Sequence, residues 1–368
     1  MMLTGVKVLD LSRVLAGPLC TMMLGDLGAS VIKVERPEGG DETRGWGPPF
    51  DARGESAYFL SVNRNKLSVT ADLADAADVA MLRELAAEAD VVVENFRPGT
   101  LERRGLDAAT LMARNPKLVW CTISGFGPGS TRPGYDFVVQ AESGWMAITG
   151  EPGGEPMKHG VALVDVLVGK DATISILAAL VARGNGGGGR RLHVSLDASA
   201  RAALVNVAQN ALVSGAPAKR WGNAHANLVP YQLFEAADRP LVIAVGSDAQ
   251  WLACAGALGL DGLARDPTLR TNAGRLAARA RIVTEITRRI AERPAAEWVA
   301  RLDAAGVPCG VVRSVVEALE GSGASALTGV PSSVEGTVRR PPPRLGEHSA
   351  VVRERGWRMF SAGEEHGA

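Results

Sequence analysis

Asp165 stands alone between the apolar stretch Val161–Val164 and the apolar, helix-like run that begins at Val166. Two kinds of chemistry suit a carboxylate there. As an N-cap it accepts hydrogen bonds from the first free N–H groups of a helix, and its charge complements the positive end of the macrodipole. As a nucleophile, kept ionised by those same N–H groups, it can form an acyl anhydride and then a thioester. The two roles are compatible. Cations cluster near the ends of the early strands: Arg13, Lys33, Arg36, Arg44, and Arg64 with Lys66. A phosphate-bearing ligand could dock against them, the plain alternative being solvated surface charge. Asn95-Phe96 sets an amide beside a flat ring, which suits a ligand with both amide and aromatic parts, or else places Phe96 in the core.

Other reactive constellations are missing. No G-x-S-x-G element occurs, and the five histidines (His159, His193, His225, His348, His366) show no metal-ligand spacing. His225, in Gly222-Asn223-Ala224-His225, is the one that sits in a loop of binding character. The glycine tract Gly184–Gly189 spells G-x-G-x-x-G, but it follows a helical run and precedes a strand, the reverse of a dinucleotide-binding turn. Gly169-Lys170 is not a phosphate loop, because Val164 replaces its first glycine and Asp171 its Ser or Thr. No nucleotide cofactor and no metal are therefore expected.

The elements that must position Asp165 alternate. Short runs at Val6–Leu11, Ser30–Val34, Val91–Val93 and Leu118–Ile123 read as strands, and Cys20–Leu27 and Ala76–Ala89 as helices. That alternation predicts an α/β domain built on a parallel sheet, with ligands at the carboxyl ends of the strands. Helices over Tyr135–Ile148 and Val166–Val181 and a strand at Leu192–Ser195 follow. From about Ala216 the texture changes to an α+β unit: strands at Tyr231–Glu235, Leu241–Val245 and Cys309–Val312, and helices at Ala249–Leu258, across Ala273–Ile290 and at Ala295–Ala304. The expected division is a large domain over 1–215, completed by a tail over 324–368, and a small domain over 225–318, with linkers at 216–224 and 319–323. The triplet Pro341-Pro342-Pro343, before a short helix at Ser349–Arg355, favours an extended tail that travels back to the first domain.

The length of 368 residues exceeds what one core supports, in keeping with two domains. Lys plus Arg and Asp plus Glu are both 40, so no net charge draws the chain to nucleic acid or an anionic membrane. The scattered cysteines Cys20, Cys121, Cys254 and Cys309 read as reduced thiols. With no secretory or membrane-spanning pattern, a cytoplasmic location is expected. The residues alone reach as far as an α/β enzyme holding a phosphorylated ligand near a carboxylate.

Several fragments, in one order along almost the whole chain, resemble the class III CoA-transferases, a family that includes formyl-CoA and carnitine CoA-transferases and α-methylacyl-CoA racemases. They are Val8–Pro18, Gly25–Ala29 with Val31–Pro37, Val93–Gly99, Gly134–Asp136, Asp165 with Gly169, and Val229–Phe234. The resemblance implies a Rossmann-like large domain, a smaller α+β domain and an interlocked homodimer. It implies that Asp165 attacks an acyl-CoA, giving an anhydride and then an aspartyl-CoA thioester. It implies that Val14, Leu15, Ala16, Arg36, Asn95, Phe96, Arg103 and Tyr135 hold CoA, and that Gly246 and Ser247 belong to a covering loop. The segments Ser61–Lys66 and Arg220–His225 are most similar to the branch that moves CoA from succinyl-CoA to glutarate or 3-hydroxy-3-methylglutarate, with Arg13, Arg64 and His225 as cations for the distal carboxylate. The stretch Gly127–Tyr135 is a few residues shorter than the family's usual loop. A racemase needs a base before the Asp of the G-x-D turn, and Tyr135 there is too weak a one, so transfer is expected. A CoA-binding protein without catalysis is the alternative from another class.

Overall fold

The computed structural model describes residues 1–322, 330, 334 and 336–360; His366 lies outside them. The described residues fall into two compact units, one of residues 1–146, 158–216 and the tail from 322, the other of residues 147–157 and 217–321.

The first unit is built on strands β1 (Lys7–Asp10), β2 (Ser30–Glu35), β3 (Lys66–Thr70), β4 (Val91–Glu94), β5 (Val119–Ser124) and β6 (Arg191–Ser195). They form one parallel sheet in the order β3-β2-β1-β4-β5-β6. Side chains alternate across it. Leu9, Ile32, Leu67, Val92 and Trp120 enter one core with the helices Ala76–Glu88 and Ala108–Arg114, while Val8, Val31, Val91, Val93 and Cys121 enter another with the helices Ala16–Asp26 and Leu163–Gly184. Burial on both faces explains the nearly unbroken Val/Ile content of the central strands. The chain order reverses between β1 and β4, so the loops leaving these strands diverge and open a crevice at their carboxyl ends.

β3 was not anticipated, because Lys66 and Ser68 break its apolar pattern, although both are buried. The tail runs beside it. Asn65 Oδ1 accepts from the backbones of Arg339 (2.7 Å) and Arg340 (2.9 Å), the His348 N–H donates to the Ser68 carbonyl (2.9 Å), and Trp357 Nε1 donates to Leu85 (2.9 Å). The helix expected over Tyr135–Ile148 is split into Asp136–Glu142 and Trp145–Ile148 around Gly144, whose φ of +94° no helix accommodates.

The second unit carries the antiparallel sheet β7 (Tyr231–Glu235), β8 (Pro240–Ala244) and β9 (Cys309–Val311), in the order β7-β8-β9. Its core joins Phe234, Leu241 and Ile243 to Trp251, Ile282, Ile286 and Trp298 from the covering helices. Among the described residues, no helix is long and apolar enough to cross a membrane.

Candidate active site

The helix that carries Asp165 starts earlier than expected, at Leu163, with Ala162 at the cap position. Asp165 is therefore not the N-cap but a residue of the first turn. The acidic partner of this helix end is Asp136, whose carboxylate accepts the Val164 N–H and is also bound by Gln140 Nε2 (2.9 and 2.7 Å). Gln140 in turn accepts the His159 N–H at 2.8 Å, which fixes its amide.

The buried residues Val164, Val168, Gly169, Ala172 and Ile176 form one stripe of this helix, which lies against the helix Ala16–Asp26. Gly169 makes the approach possible, since a Cβ there would stand 2.9 Å from the Ala16 carbonyl and 3.0 Å from Leu19 Cδ2. The close approach brings Asp165, one turn earlier, into the crevice above β1 and β4. There a cleft of about 430 Å³ is lined by Arg13, Val14, Leu15, Ala16, Asn95, Phe96, Tyr135 and Asp165, together with Glu42, Ser124 and Arg132. That volume suits a small-molecule site.

The electrostatics reverse one expectation. The helix N–H groups do not hold Asp165 at a low pKa. Burial, reinforced by the neighbouring Asp136 carboxylate, pushes it from its ordinary 3.8 up to about 7. Burial likewise raises Asp136, against the opposing effect of its bonds from Gln140 and Val164. A carboxylate close to half-ionised at neutral pH is more basic, and so a stronger nucleophile, than an ordinary one.

The remaining residues divide. Asn95 lines the cleft, but its amide is committed to the neighbouring loop: Oδ1 accepts the Arg13 N–H (3.0 Å) and Nδ2 donates to the Arg13 carbonyl (2.8 Å). Arg13 stacks over Phe96, with 5.3 Å to the ring centroid, and its Nη1 bonds Glu42 at 2.7 Å. Among the described residues, Arg13 Nε and Glu42 Oε2 have no hydrogen-bond partner. Arg36 lines a second cavity of about 260 Å³ with Leu11, Val34, Leu73 and Leu101, and this cavity shares Arg13 and Phe96 with the first. Arg103 is exposed on the short helix Glu102–Arg104 and lines neither cavity. Arg64 is not in the cleft; its guanidinium binds Asp26, with Nη2 to Oδ2 at 2.8 Å, beside the tail.

His225, Gly246 and Ser247 belong to the second unit. The His225 Nδ1 accepts the Asn227 N–H (3.0 Å), and its ring packs on Tyr231. Ser247 caps the helix Asp248–Ala257 through Gln250 N–H (3.2 Å), and the Gly246 N–H donates to Gln250 Oε1 (2.8 Å). Glu42 and the electrostatic influence of Asp136 escaped the reading of the residues. The polar run after β2 and the G-x-D turn were their only signals. The glycine tract connects the long helix to β6, as its order of elements implied.

Comparison with known proteins agrees with this architecture. A family model described as CoA-transferase family III matches residues 3–349. The chain is 40% identical to a succinate–glutarate CoA-transferase of Agrobacterium fabrum, over 95% of this chain and 94% of that protein. It is 41% identical to the succinyl-CoA:glutarate CoA-transferase of Mus musculus, over 95% and 85% respectively. The crystal structure of a CAIB/BAIF family protein from Brucella suis superposes with a TM-score of 0.85 at 39% identity, over 95% of this chain and 98% of that one. With a Rossmann-type sheet, a carboxylate in its crevice and relatives matched nearly end to end, the chain belongs to CoA-transferase family III and is a CoA-transferase.

Proposed function

We propose that the enzyme moves CoA from succinyl-CoA to a second dicarboxylic acid, with Asp165 as the covalent relay. An Asp165 oxygen attacks the thioester carbonyl, the C–S bond breaks, and CoA leaves as thiolate with a mixed anhydride behind it. The thiolate then attacks the aspartyl carbonyl, expelling succinate and leaving an aspartyl-CoA thioester. The acceptor carboxylate repeats these steps in reverse and regenerates Asp165. A thioester is exchanged for a thioester, so no ATP and no metal enter the balance. The chain's tasks are to exclude water and to steady the oxyanions.

The observation that carries this reading is the placement of a carboxylate of raised basicity in the same cleft as the β1 loop. The relatives support the substrate class, since their names specify succinate or succinyl-CoA with glutarate. Val14, Leu15 and Ala16 would meet the reacting end of the coenzyme, with Phe96 and Arg36 along the path to the second cavity. Asn95 would act through the loop it ties, and Tyr135 would close the side opposite the loop. Of the cations named for the distal carboxylate, Arg13 lines the cleft. The working form is a cytoplasmic homodimer of the interlocked kind. Apolar side chains left exposed on this chain, among them Ile174, Val205, Leu212 and Val213, supply a surface for a second copy.

The test combines a panel of dicarboxylic acids, mass detection of new thioesters, and hydroxylamine trapping with succinyl-CoA. A modified Asp165 and thioesters of dicarboxylates are expected. Full transferase activity in Asp165→Ala would sink the proposal, as would α-proton exchange in a 2-methylacyl-CoA with no acid acceptor present.

A further inference from the structure

The loop between β1 and the helix Ala16–Asp26 forms one wall of the cleft, yet its backbone is held where its residues do not wish to be. Val14 has φ +71°, in the left-handed region, where a β-branched residue is a true outlier because its Cβ crowds the backbone. A residue persists there only when its surroundings over-determine it. The group that does so is Asp41. The Val14 N–H donates to both oxygens of the Asp41 carboxylate, at 3.3 and 3.2 Å. Asp41 is itself fixed by Lys33 Nζ (3.0 Å), the Thr43 N–H (3.0 Å) and Thr43 Oγ1 (2.8 Å). Lys33 also reaches the loop directly, donating to the Ser12 carbonyl at 2.9 Å.

Neither side chain of the Lys33–Asp41 pair has any exposed surface. Burial works against the charge on each; Asp41, with Asp10 and Glu35, overcomes it at Lys33 and leaves that pKa raised, while Lys33, with the hydrogen bonds from Thr43, overcomes it at Asp41 and leaves that pKa lowered. Neither residue lines the cleft that contains Asp165; Asp41 borders the second cavity, beside Arg36, and Lys33 lines neither. A buried pair of this kind is weak evidence for stability in itself, because well-packed apolar residues often replace one at no loss. Its use must lie in what it holds in place.

We infer that Lys33 and Asp41 are positioning residues, which set the left-handed turn at Val14 and so the wall that Arg13, Leu15 and Ala16 present to acyl-CoA. The inference rests on the reading of the cleft as an acyl-CoA site. It is distinct from a stabilising role, because the strain at Val14 should be the route of its effect.

The experiment uses the charge-balanced double variant Lys33→Met with Asp41→Asn, and the same variant with Val14→Gly added. The double variant should fold and show a KM for succinyl-CoA raised about tenfold, within the span that one strained residue carries, with kcat changed less. Adding Val14→Gly should recover most of that loss, since glycine takes the left-handed conformation freely. A lowered Tm with unchanged KM, or no recovery on adding Val14→Gly, would overturn the inference. Amide hydrogen exchange at Val14 in the native protein tests its tether to Asp41 even if the variants fail to fold, protection being expected and rapid exchange refuting the inference. If the native enzyme binds no CoA by titration calorimetry, the acyl-CoA reading fails, while Val14 protection still reports separately on the Lys33–Asp41 pair.

Discussion

Replacing Asp165 by Asn should stabilise the protein, and by an amount that depends on pH. Burial and Asp136 raise the Asp165 pKa from 3.8 to about 7, so the folded state keeps a proton through a pH range in which the unfolded chain has released it. Where the unfolded state binds fewer protons, stability falls as pH rises. The wild-type enzyme therefore loses stability progressively between about pH 4 and pH 7 and stays at the lower level above that. The full shift corresponds to roughly 4 kcal/mol. Asp165 borders an open cleft, and screening by solvent reduces the expected figure to about 2 kcal/mol. Asn keeps the shape and polarity of the protonated acid without the charge. Its advantage should be near zero at pH 4 and about 2 kcal/mol at pH 8, read as a rise of a few degrees in Tm. Calorimetric melting of both proteins across pH 4–8, without ligand, measures it. A difference that does not change with pH, or an Asn variant less stable than wild type at pH 8, would refute the account of the site's electrostatics. The same variant should lose transferase activity by about 10³-fold or more, the pattern of a residue kept for function against stability.

Asp136→Asn removes the neighbouring charge, so the rising limb of the kcat/KM pH profile, centred near 7 for Asp165 in the free enzyme, should move to lower pH; an unmoved midpoint would show that burial alone sets it. Gly169→Ala places a methyl 2.9 Å from the Ala16 carbonyl, so despite the better helix propensity of Ala, roughly 1 kcal/mol, it should lose a net 1–2 kcal/mol or so in urea unfolding and raise the KM for acyl-CoA. Lys66→Met strands the buried Asp10 carboxylate, whose pKa burial would raise but Lys66 and Lys33, with the Ser12 and Thr21 hydroxyls, bring down to about 2. The variant should lose about 3–5 kcal/mol at neutral pH and lose less at pH 2–3, where Asp10 in the native enzyme is itself taking up its proton.

The parts of the structure legible in the residues were those whose burial shows as pattern. β1, β2, β4 and β5 appear within a residue or two of their observed bounds because each carries adjacent buried apolar residues, and the edge strand β6 does so because Leu192 and Val194 alternate with exposed Arg191 and His193. β3 was illegible for the same reason inverted: it buries Lys66 and Ser68, whose partners Asp10, Asn63 and Glu35 come from elsewhere in the chain. Asp165 was singled out as a lone acid in an apolar setting, and its position in the cleft follows from the helix stripe it belongs to. What no local pattern discloses is the sign of its pKa shift. Helix position alone argues for a stabilised anion, and what opposes it is burial against several distant segments together with Asp136, about thirty residues earlier. Arg64 misled in the same way, since its neighbours in sequence say nothing of Asp26, which holds it.

The raised basicity of Asp165 bears on the direction of the proposed chemistry. In a mixed anhydride between Asp165 and succinate, the CoA thiolate has two carbonyls to attack, and the better leaving group is the carboxylate of the stronger acid. An ordinary substrate carboxylate, near pKa 4, leaves more readily than a side chain near 7. Attack at the aspartyl carbonyl is thereby favoured, which releases the free acid and leaves CoA on the enzyme. Acylation also removes the negative charge that Asp136 repels, so strain in the free carboxylate is relieved as the covalent bond forms. A low-pKa aspartate would have neither bias. The same bias opposes the last step, in which the thiolate attacks the acceptor's carbonyl and expels Asp165. On the proposed role, the buried pair of acids therefore favours the aspartyl-CoA state over either anhydride and leaves the overall exchange reversible.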